Sequence, residues 1–350
     1  MTWLHVIPRL PPPVCGVADY ARCLARALEP HGMASVLVPA RGAGDWRETL
    51  ASAARAQEPA LWLLHYSGYG YARRGAPLRL AGDLARLRKR HPSARLVTMF
   101  HELYATGAPL SSAFWVSFLQ RHVASRLARL SDAVLTNRRA SAQWLQPQLP
   151  PGGEIKVLPV FSNFGEEAAP APPMQRPARL VLFGGGPARD AVFWRQTELA
   201  MSALGLGELV VVSHHLPVPE SMSGRFAVRQ TGVLEPEAMA EVLRECRCGV
   251  LDYNPDFLGK SGVLAAYAAF GVVPLLAQGR QVISEGLEEG RHFVSTQAVS
   301  APTDLERVQQ ELRGWYAGHS QAATAAVYAK LAEGERRGNN VSCWNGGTAA

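Results

Sequence analysis

Long hydrophobic runs are missing from this sequence of 350 residues, although 47% of the residues are hydrophobic. No stretch approaches the roughly 20 consecutive apolar residues that a membrane-spanning helix needs. The first eight residues, MTWLHVIP, lack the charged segment and apolar run of a secretory signal. We therefore expect a cytoplasmic protein, with no more than peripheral contact at the inner face of a membrane.

Cysteine is also scarce. The chain has five cysteines, an odd and small number for its length, which is typical of reduced thiols rather than of a disulfide framework. Cys246 and Cys248 form a close pair, but no second pair or histidine cluster stands near them. We predict two partly buried thiols there and no zinc site. No Asp-x-Asp triplet ends a predicted strand, which agrees with our expectation of a protein that uses no metal and no other cofactor.

Acidic residues are scarce in one half of the chain. The formal net charge is +7, from 36 Lys and Arg against 29 Asp and Glu. Residues 1–160 carry 20 basic and 9 acidic residues, a balance of +11, whereas residues 161–350 carry 16 and 20, a balance of −4. The basic first half predicts an anionic partner there, such as phosphate, nucleic acid or a membrane surface.

Short apolar segments alternate with longer amphipathic ones, which is the pattern of parallel sheets covered by helices. The strands predicted in the first half are Trp3–Ile7, Ser35–Val38, Leu61–Tyr66, Leu96–Phe100, Ala133–Thr136 and Lys156–Val160. Those predicted in the second half are Leu180–Phe183, Leu209–Val212, Phe226–Arg229, Gly249–Tyr253 and Val272–Leu276. This alternation predicts two doubly wound, Rossmann-like α/β domains with a ligand cleft between them, at the carboxyl ends of the strands.

The boundary between these domains is predicted at residues 166–177. That segment is rich in Pro and Ala and lacks periodicity, so we interpret it as a linker. It separates an N-terminal domain, residues 1–165, from a C-terminal domain, residues 178–333. The latter ends in a long helical stretch, 303–333, and residues 334–350 predict a poorly ordered tail.

Polar loops follow several predicted strands of the first domain. Gly16 opens the helix after the first strand, where a glycine lets a ligand approach the backbone and the helix N–H groups can bind an anion. His101 and Glu102 follow a later strand, where they suit acid–base chemistry or hydrogen bonding to a hydroxyl. Aromatic side chains that can pack on a sugar ring stand beside an arginine that can hold a phosphate; these candidates are Tyr66, Tyr69, Tyr71, Tyr104 and Arg73.

Two segments of the second domain contain candidate phosphate-binding residues. Gly184–Gly186 and Arg189 follow its first strand, but the glycine spacing does not fit a dinucleotide fingerprint, and no acidic residue ends the next strand to bind a ribose. Further on, Lys260 and Ser261 precede an Ala-rich helix that opens at Gly262. A mobile charge, a hydroxyl and helix N–H groups together suit a diphosphate.

In this order, the segments resemble glycosyltransferases of the GT-B fold, especially the retaining family-4 group, over roughly residues 1–330. The resemblance implies a nucleotide-diphosphate sugar as donor and an acceptor bound to the first domain. It implies that Gly16 and Arg189 lie at the donor diphosphate together with Lys260, and that His101 touches the transferred sugar.

The sequence departs from the family-4 pattern in the donor loop. That group has two glutamates eight positions apart, and this sequence has Leu258 and Ala266 at the corresponding positions. The glutamates' contacts to the donor are therefore missing. We keep a second hypothesis beside the enzyme, a non-catalytic protein that binds a sugar nucleotide or serves as a scaffold on the same fold.

The leading hypothesis is a metal-independent glycosyltransferase in polysaccharide or glycoconjugate assembly. Helix N-termini and basic side chains can offset the charge of the leaving diphosphate without a metal. If the enzyme retains configuration, as the resemblance favours, the leaving phosphate can deprotonate the acceptor; if it inverts, Asp19, His101 or Glu102 must act as the base. The basic first domain predicts an acceptor that carries a phosphate, such as a lipid-linked sugar, with Trp115 and Phe118 touching lipid. Nucleic acid is not expected as a partner.

Overall fold

The computed structural model describes residues 1–10, 16–41, 45–57, 59–105, 112–184, 189–277, 285–299 and 303–333, with only the backbone described at 112–114. Two parallel six-stranded sheets stand on either side of residues 166–177 in the sequence. The predicted α/β architecture of two Rossmann-like units is therefore confirmed. The predicted tail, 334–350, lies outside the described residues, as do Gly185 and Gly186 of the glycine cluster.

The first unit is a six-stranded parallel sheet with helices on its faces. Its strands are β1 (Thr2–Ile7), β2 (Ala34–Pro39), β3 (Leu61–Tyr66), β4 (Arg95–Phe100), β5 (Ala133–Thr136) and β6 (Ile155–Val157). Its helices are α1 (Gly16–Leu28), α2 (Trp46–Ala56), α3 (Gly68–Tyr71), α4 (Leu78–Arg90), α5 (Ser112–Leu130) and α6 (Arg139–Leu145). The strand order is β2-β1-β3-β4-β5-β6. Every residue of β3 and β4 is buried, as expected of central strands covered on both faces.

The second unit repeats this architecture. Its strands are β7 (Arg179–Phe183), β8 (Glu208–Val212), β9 (Ala227–Gln230), β10 (Cys248–Leu251), β11 (Val273–Leu276) and β12 (Val294–Ser295), in the order β12-β11-β10-β7-β8-β9. Its helices are α7 (Ala191–Ala203), α8 (Glu220–Ser223), α9 (Pro236–Glu245), α10 (Gly262–Phe270), α11 (Leu305–Ala317) and α12 (Gln321–Glu333). Among the described residues, no helix combines the length and apolarity needed to cross a membrane.

The terminal helical stretch differs from its prediction as one continuous helix over 303–333. It forms two helices, α11 and α12, because Gly318 ends the first and Ser320 caps the second, its Oγ accepting from the Ala323 N–H at 3.2 Å. Helix α12 then returns to the first unit. There Tyr328 packs edge-to-face on Trp3, with ring centroids 6.2 Å apart.

Residues 166–177, the predicted linker, lie against the second unit. The Glu166 carboxylate accepts from the Tyr316 hydroxyl at 2.6 Å and from the Gln321 N–H at 2.7 Å. The buried guanidinium of Arg176 donates to the carbonyl of Phe270 at 2.8 Å. These bonds attach the segment to α10, α11 and the start of α12.

The close cysteine pair is buried in the second unit as two free thiols. Burial raises the pKa of Cys246 and of Cys248 to about 12, so both stay protonated at neutral pH. The part of the chain that the structure describes holds no group of three or more His, Cys, Asp or Glu side chains arranged to bind a metal.

Candidate functional site

Two adjoining cavities lie in the cleft between the two units. The first, which we call the tyrosine cavity, has a volume of about 410 Å³, and its lining includes Tyr69 and Tyr104. The second, which we call the glycine cavity, has a volume of about 320 Å³, and its lining includes Gly16 and Gly262. Three side chains line both cavities, namely His101, Glu102 and Lys260. Residues predicted from separate loops therefore meet where the cavities adjoin.

The glycine cavity lies where two helices begin. Helix α1 starts at Gly16 and α10 at Gly262, so first-turn N–H groups without intrahelical partners lie beside it. A Cβ at either glycine would meet no atom within 4 Å, which leaves open space against the backbone. Ser261 is buried and caps α10, its Oγ accepting from the Leu264 N–H at 3.2 Å. Two helix N-termini on one cavity favour an anion.

An ion pair across the cleft marks the boundary between the cavities. Lys260 Nζ, from the second unit, lies 3.3 Å from Glu102 Oε1, from the first. Ser67 Oγ donates to the other carboxylate oxygen, Oε2, at 2.9 Å. The two side chains are 24% and 46% exposed, so we expect the pair to stabilise the fold by about 1 kcal/mol or less. The ion pair therefore contributes little to stability, and its main effect is to hold the Lys260 side chain at the boundary of the cavities.

The position of Lys260 depends on a close approach between the units. The residues before it form a 3₁₀ helix, Pro255–Lys260. A Cβ on Gly259 would lie only 2.8 Å from the Asn137 carbonyl oxygen, so a larger residue would push this helix away from the first unit. The Gly259 carbonyl in turn accepts from the Val160 N–H at 2.9 Å.

His101 is buried and electrically neutral. Its Nε2 lies 3.3 Å from Nδ1 of His65, and the Tyr20 ring packs edge-on to it with centroids 4.9 Å apart. Burial, with a smaller effect from the nearby Lys260 charge, lowers the pKa of His101 to about 3. A neutral imidazole with so low a pKa is a weak base. The geometry therefore suits hydrogen bonding to a hydroxyl better than proton abstraction.

Asp19 and Arg189 line neither of the two cavities. Asp19 pairs with Arg22 on the next turn of α1 at 2.8 Å, and burial raises its pKa although Arg22 opposes the shift. The Arg189 side chain is only 8% exposed and contacts Asp252 at 3.3 Å. Their predicted roles as base and as diphosphate ligand stay predictions.

The structure separates the predicted aromatic residues. Tyr69 and Tyr104 line the tyrosine cavity. Tyr66 is fully buried, and the buried Tyr71 donates from its hydroxyl to the Val6 and His65 carbonyls at 2.9 and 3.0 Å. Arg73 is exposed and is not part of either cavity's lining.

Two further residues of the tyrosine cavity are absent from the predicted set. Gln120 Oε1 accepts from the Ala105 N–H at 2.7 Å, and its amide donates to the Arg74 carbonyl at 2.9 Å. Arg138 lies over the Phe257 ring, 3.9 Å from its centroid. Arg138 follows the end of β5, so the strand-end rule could have found it, whereas Gln120 lies inside a helix and carries no such signal.

The fold of this chain is similar to that of several solved structures. HepE of Anabaena, in complex with UDP and glucose, matches 95% of this chain and 99% of its own with a TM-score of 0.56 at 12% identity. The lipopolysaccharide outer core galactosyltransferase WaaB, in its apo form, matches 95% of this chain and 100% of its own, with a TM-score of 0.56 at 10% identity. An alpha-glucosyltransferase in complex with UDP and a 13-mer DNA containing an HMU base matches 95% of this chain and 98% of its own, with a TM-score of 0.56 at 9% identity.

These similarities extend over nearly the whole chain and show that it has the GT-B fold of glycosyltransferases. The predicted fold class is thereby confirmed. No protein-family model matches the sequence, and no curated protein matches it. The family-4 subgroup and the missing donor-loop glutamates stay predictions.

Proposed function

We propose that this protein is a glycosyltransferase that moves a sugar from a nucleotide-diphosphate sugar to an acceptor hydroxyl. The observation that carries the proposal is the glycine cavity, where Lys260 and the N-termini of two helices surround one space. Solved structures of similar fold hold UDP, which supports a nucleotide-diphosphate donor.

The shared boundary of the cavities suggests how the substrates are arranged. A diphosphate in the glycine cavity would lie against Gly16 and Gly262 and take Lys260 as its counter-charge. The sugar would then reach His101, and the acceptor would enter from the tyrosine cavity past Tyr69 and Tyr104, whose rings can pack on a sugar.

We propose transfer with retention of configuration and without a metal. Among the three candidate bases, His101 is a weak base and Asp19 lines neither cavity. Glu102 is held by Ser67 and Lys260. The leaving phosphate is then the group placed to take the acceptor proton, while Lys260 and the helix N-termini offset its charge.

On the acceptor side, we propose a sugar bearing a phosphate, such as a lipid-linked intermediate of polysaccharide or glycoconjugate assembly, at the cytoplasmic face of a membrane. Helix α5 supports this: Trp115 and Phe118 are 65% and 63% exposed. One turn further on, Arg121 lies over the Tyr104 ring, 4.4 Å from its centroid. The helix thus connects an exposed aromatic surface with the tyrosine cavity.

The experiment is a thermal-shift and calorimetric screen of nucleotide diphosphates and their sugars, because a ligand of the native state raises the melting temperature by mass action. We expect Lys260→Ala to weaken diphosphate binding roughly 10- to 100-fold, the equivalent of about 1.5–3 kcal/mol for a hydrogen bond to a charged group. Glu102→Gln should strengthen it by up to about fivefold, because the exposed ion pair that competes for Lys260 is worth about 1 kcal/mol at most.

The matched control is Lys156→Ala, which removes an exposed lysine of β6 and makes the same change in net charge. Its nucleotide affinity should equal that of the unmodified protein. A screen in which no nucleotide diphosphate or nucleotide sugar raises the melting temperature would rule the proposal out.

A second candidate function is nucleotide-sugar binding without catalysis. Leu258 and Ala266, at the positions of the family-4 glutamates, are 2% and 0% exposed. They pack in the core and offer no carboxylate to a donor. Donor binding by the protein with no hydrolysis or transfer to any acceptor would favour this candidate over the enzyme.

A further inference from the structure

Three histidines form a buried row across the first sheet and end at the cleft. His5 lies on β1 and His65 on β3, and His101 directly follows β4. Strand register places His5 beside Leu63 and His65 beside Met99. Because side chains two positions apart share a face of a strand, each successive histidine lies on the same face, one step nearer the carboxyl edge.

The rings of this row lie edge to edge in nearly parallel planes and are hydrogen-bonded. The His5 and His65 centroids lie 5.3 Å apart with planes 13° apart, and those of His65 and His101 lie 5.5 Å and 20° apart. His5 Nδ1 is 3.1 Å from His65 Nε2, and His65 Nδ1 is 3.3 Å from His101 Nε2. At the far end, His5 Nε2 lies 3.2 Å from the hydroxyl oxygen of Ser35.

Burial keeps all three rings neutral. It lowers the pKa of His5 and of His101 to about 3, and it lowers that of His65 well below the usual value, with the neighbouring histidines adding to the shift. A neutral imidazole has one N–H donor and one bare acceptor nitrogen. Each bond in the row therefore needs one protonated and one bare nitrogen.

This requirement leaves two self-consistent arrangements of the row. Either all three rings carry the proton on Nε2, and Nδ1 of His101 is bare, or all three carry it on Nδ1, and Nδ1 of His101 is a donor. Among the described residues, Nδ1 of His101 has no hydrogen-bond partner, and His101 lines both cavities. The positive charge of Lys260 acts on His101 from the cleft side and favours a lone pair facing it.

We propose that His5 and His65 are positioning residues that hold His101 as its Nε2–H tautomer, so that its Nδ1 accepts a hydrogen bond from a hydroxyl of the donor's sugar. Ser35 anchors the far end by accepting from Nε2–H of His5. The inference rests on the proposed function for the identity of the ligand, but the tautomer itself is a property of the unliganded protein.

The test is ¹⁵N NMR of the imidazole nitrogens in the full-length protein, with resonances assigned by single substitution. We expect His5, His65 and His101 each to show a protonated Nε2 and a bare Nδ1. In His5→Phe, the Nε2–H of His65 would lose its acceptor. Because a buried orphan N–H is costlier than a bare acceptor, His65 should change to Nδ1–H and force His101 to become Nδ1–H as well.

His65→Gln is the rescue variant, because its amide oxygen can accept from His101 and its NH₂ group can donate to His5. It should leave His101 as Nε2–H. His31→Gln, at an exposed histidine outside the row, is the control and should change nothing. If His5→Phe fails to fold, Ser35→Ala removes the same anchor from a half-buried position, and a shift of His101 toward Nδ1–H is expected there.

Binding gives the second readout, made with UDP-, ADP- and GDP-glucose and the matching nucleotide diphosphates. For the pair that the wild type binds best, His5→Phe should weaken binding of the sugar nucleotide by about tenfold and leave that of the nucleotide diphosphate unchanged. Three results would each overturn the proposal. They are a proton on Nδ1 of any of the three rings in the wild type, a His101 tautomer that His5→Phe does not change, and an equal loss of affinity for the sugar nucleotide and the nucleotide diphosphate. Failure of the proposed function can be told apart from failure of the tautomer proposal. In that case the wild type would bind none of these nucleotides, and the NMR measurement would still determine the tautomer.

Discussion

His5, His65 and His101 each occupy a buried position where an aliphatic residue would pack without desolvating a polar ring. Their mutual hydrogen bonds offset part of that cost. A proton on any of them would place a charge in the core of the first unit, where burial disfavours the charged form. The row therefore makes the fold sensitive to acid.

We predict that stability falls steeply as the pH drops below about 6.5. Unfolded histidines take up protons near pH 6.5, whereas the pKa of His5 and of His101 in the fold is about 3. Between these pH values the unfolded chain binds more protons, so the free energy of unfolding should rise with pH by about 1.4 kcal/mol per unit for each such histidine. Urea unfolding at several pH values measures this slope.

His5→Leu should reduce that slope by one histidine's share, about 1.4 kcal/mol per pH unit. An exposed histidine changed in the same way, His31→Leu, should leave it as it was. A free energy of unfolding that is constant between pH 7 and pH 5 would contradict the burial argument.

Some residues of the candidate site could be predicted from the sequence, and others could not. His101, Glu102 and Lys260 follow strands or precede a helix, so the rule that ligands bind at the carboxyl ends of parallel strands points to them. His5 and His65 lie inside apolar strands, and the hydrophobic pattern carries no information about what a buried histidine contacts. Which tyrosines face the cleft depends on the paths of the segments after β3 and β4, which local sequence does not determine.

At the scale of elements, the residue that caps helix α10 is also one predicted to bind the diphosphate. Ser261 caps it, and the same residue precedes Gly262 at the glycine cavity. Substitutions that differ in capping ability can separate these roles, because glycine is a much better N-cap than alanine.

We predict that Ser261→Ala lowers the free energy of unfolding by about 1 kcal/mol, whereas Ser261→Gly lowers it by only a few tenths. Both variants remove the hydroxyl, so both should weaken nucleotide diphosphate binding equally if that hydroxyl contacts the ligand. Chemical denaturation and calorimetry together distinguish the effects. Equal stability of the two variants would argue against the capping role.

The strands were predictable because continuous apolar runs of four to six residues mark strands buried on both faces. Leu61–Tyr66 and Ala133–Thr136 were predicted with the bounds that the structure shows. Strand β12 was missed because two residues carry no periodic signal. The break between α11 and α12 was also missed, since it depends on a single glycine and on the cap at Ser320.

At the scale of the whole molecule, the +11 balance of residues 1–160 lies in the unit that carries α5. The nucleotide side needs few charges, and Lys260 comes from the acidic half of the sequence. Under the proposed function, we therefore assign the basic surplus to the acceptor or to a membrane surface rather than to the donor.

We predict that the protein binds vesicles of anionic lipid at about 0.01 M salt and is released at about 1 M, where the screening length falls to about 3 Å. The double variant Trp115→Ser/Phe118→Ser should bind about tenfold more weakly or worse, because two exposed aromatic side chains no longer enter the lipid interface. Vesicle flotation measures both effects.

The matched control is Val192→Ser/Leu199→Ser, which removes two exposed apolar side chains, 60% and 57% exposed, from α7 of the second unit. It should bind vesicles like the unmodified protein. Absence of binding to anionic vesicles even at the lowest salt would refute the proposed membrane contact without bearing on the proposed donor site.

In the part of the chain that the structure describes, two passages join the units, one through residues 161–178 and one between α11 and α12. Two connections between domains favour hinge rotation about the line that joins them, because this motion displaces both connections least. Sliding of one unit past the other would have to break the hydrogen bond from the Val160 N–H to the Gly259 carbonyl, beside the first passage. Rotation about that line would widen or narrow the cleft, and Lys260 and Glu102 would separate or meet as it did so.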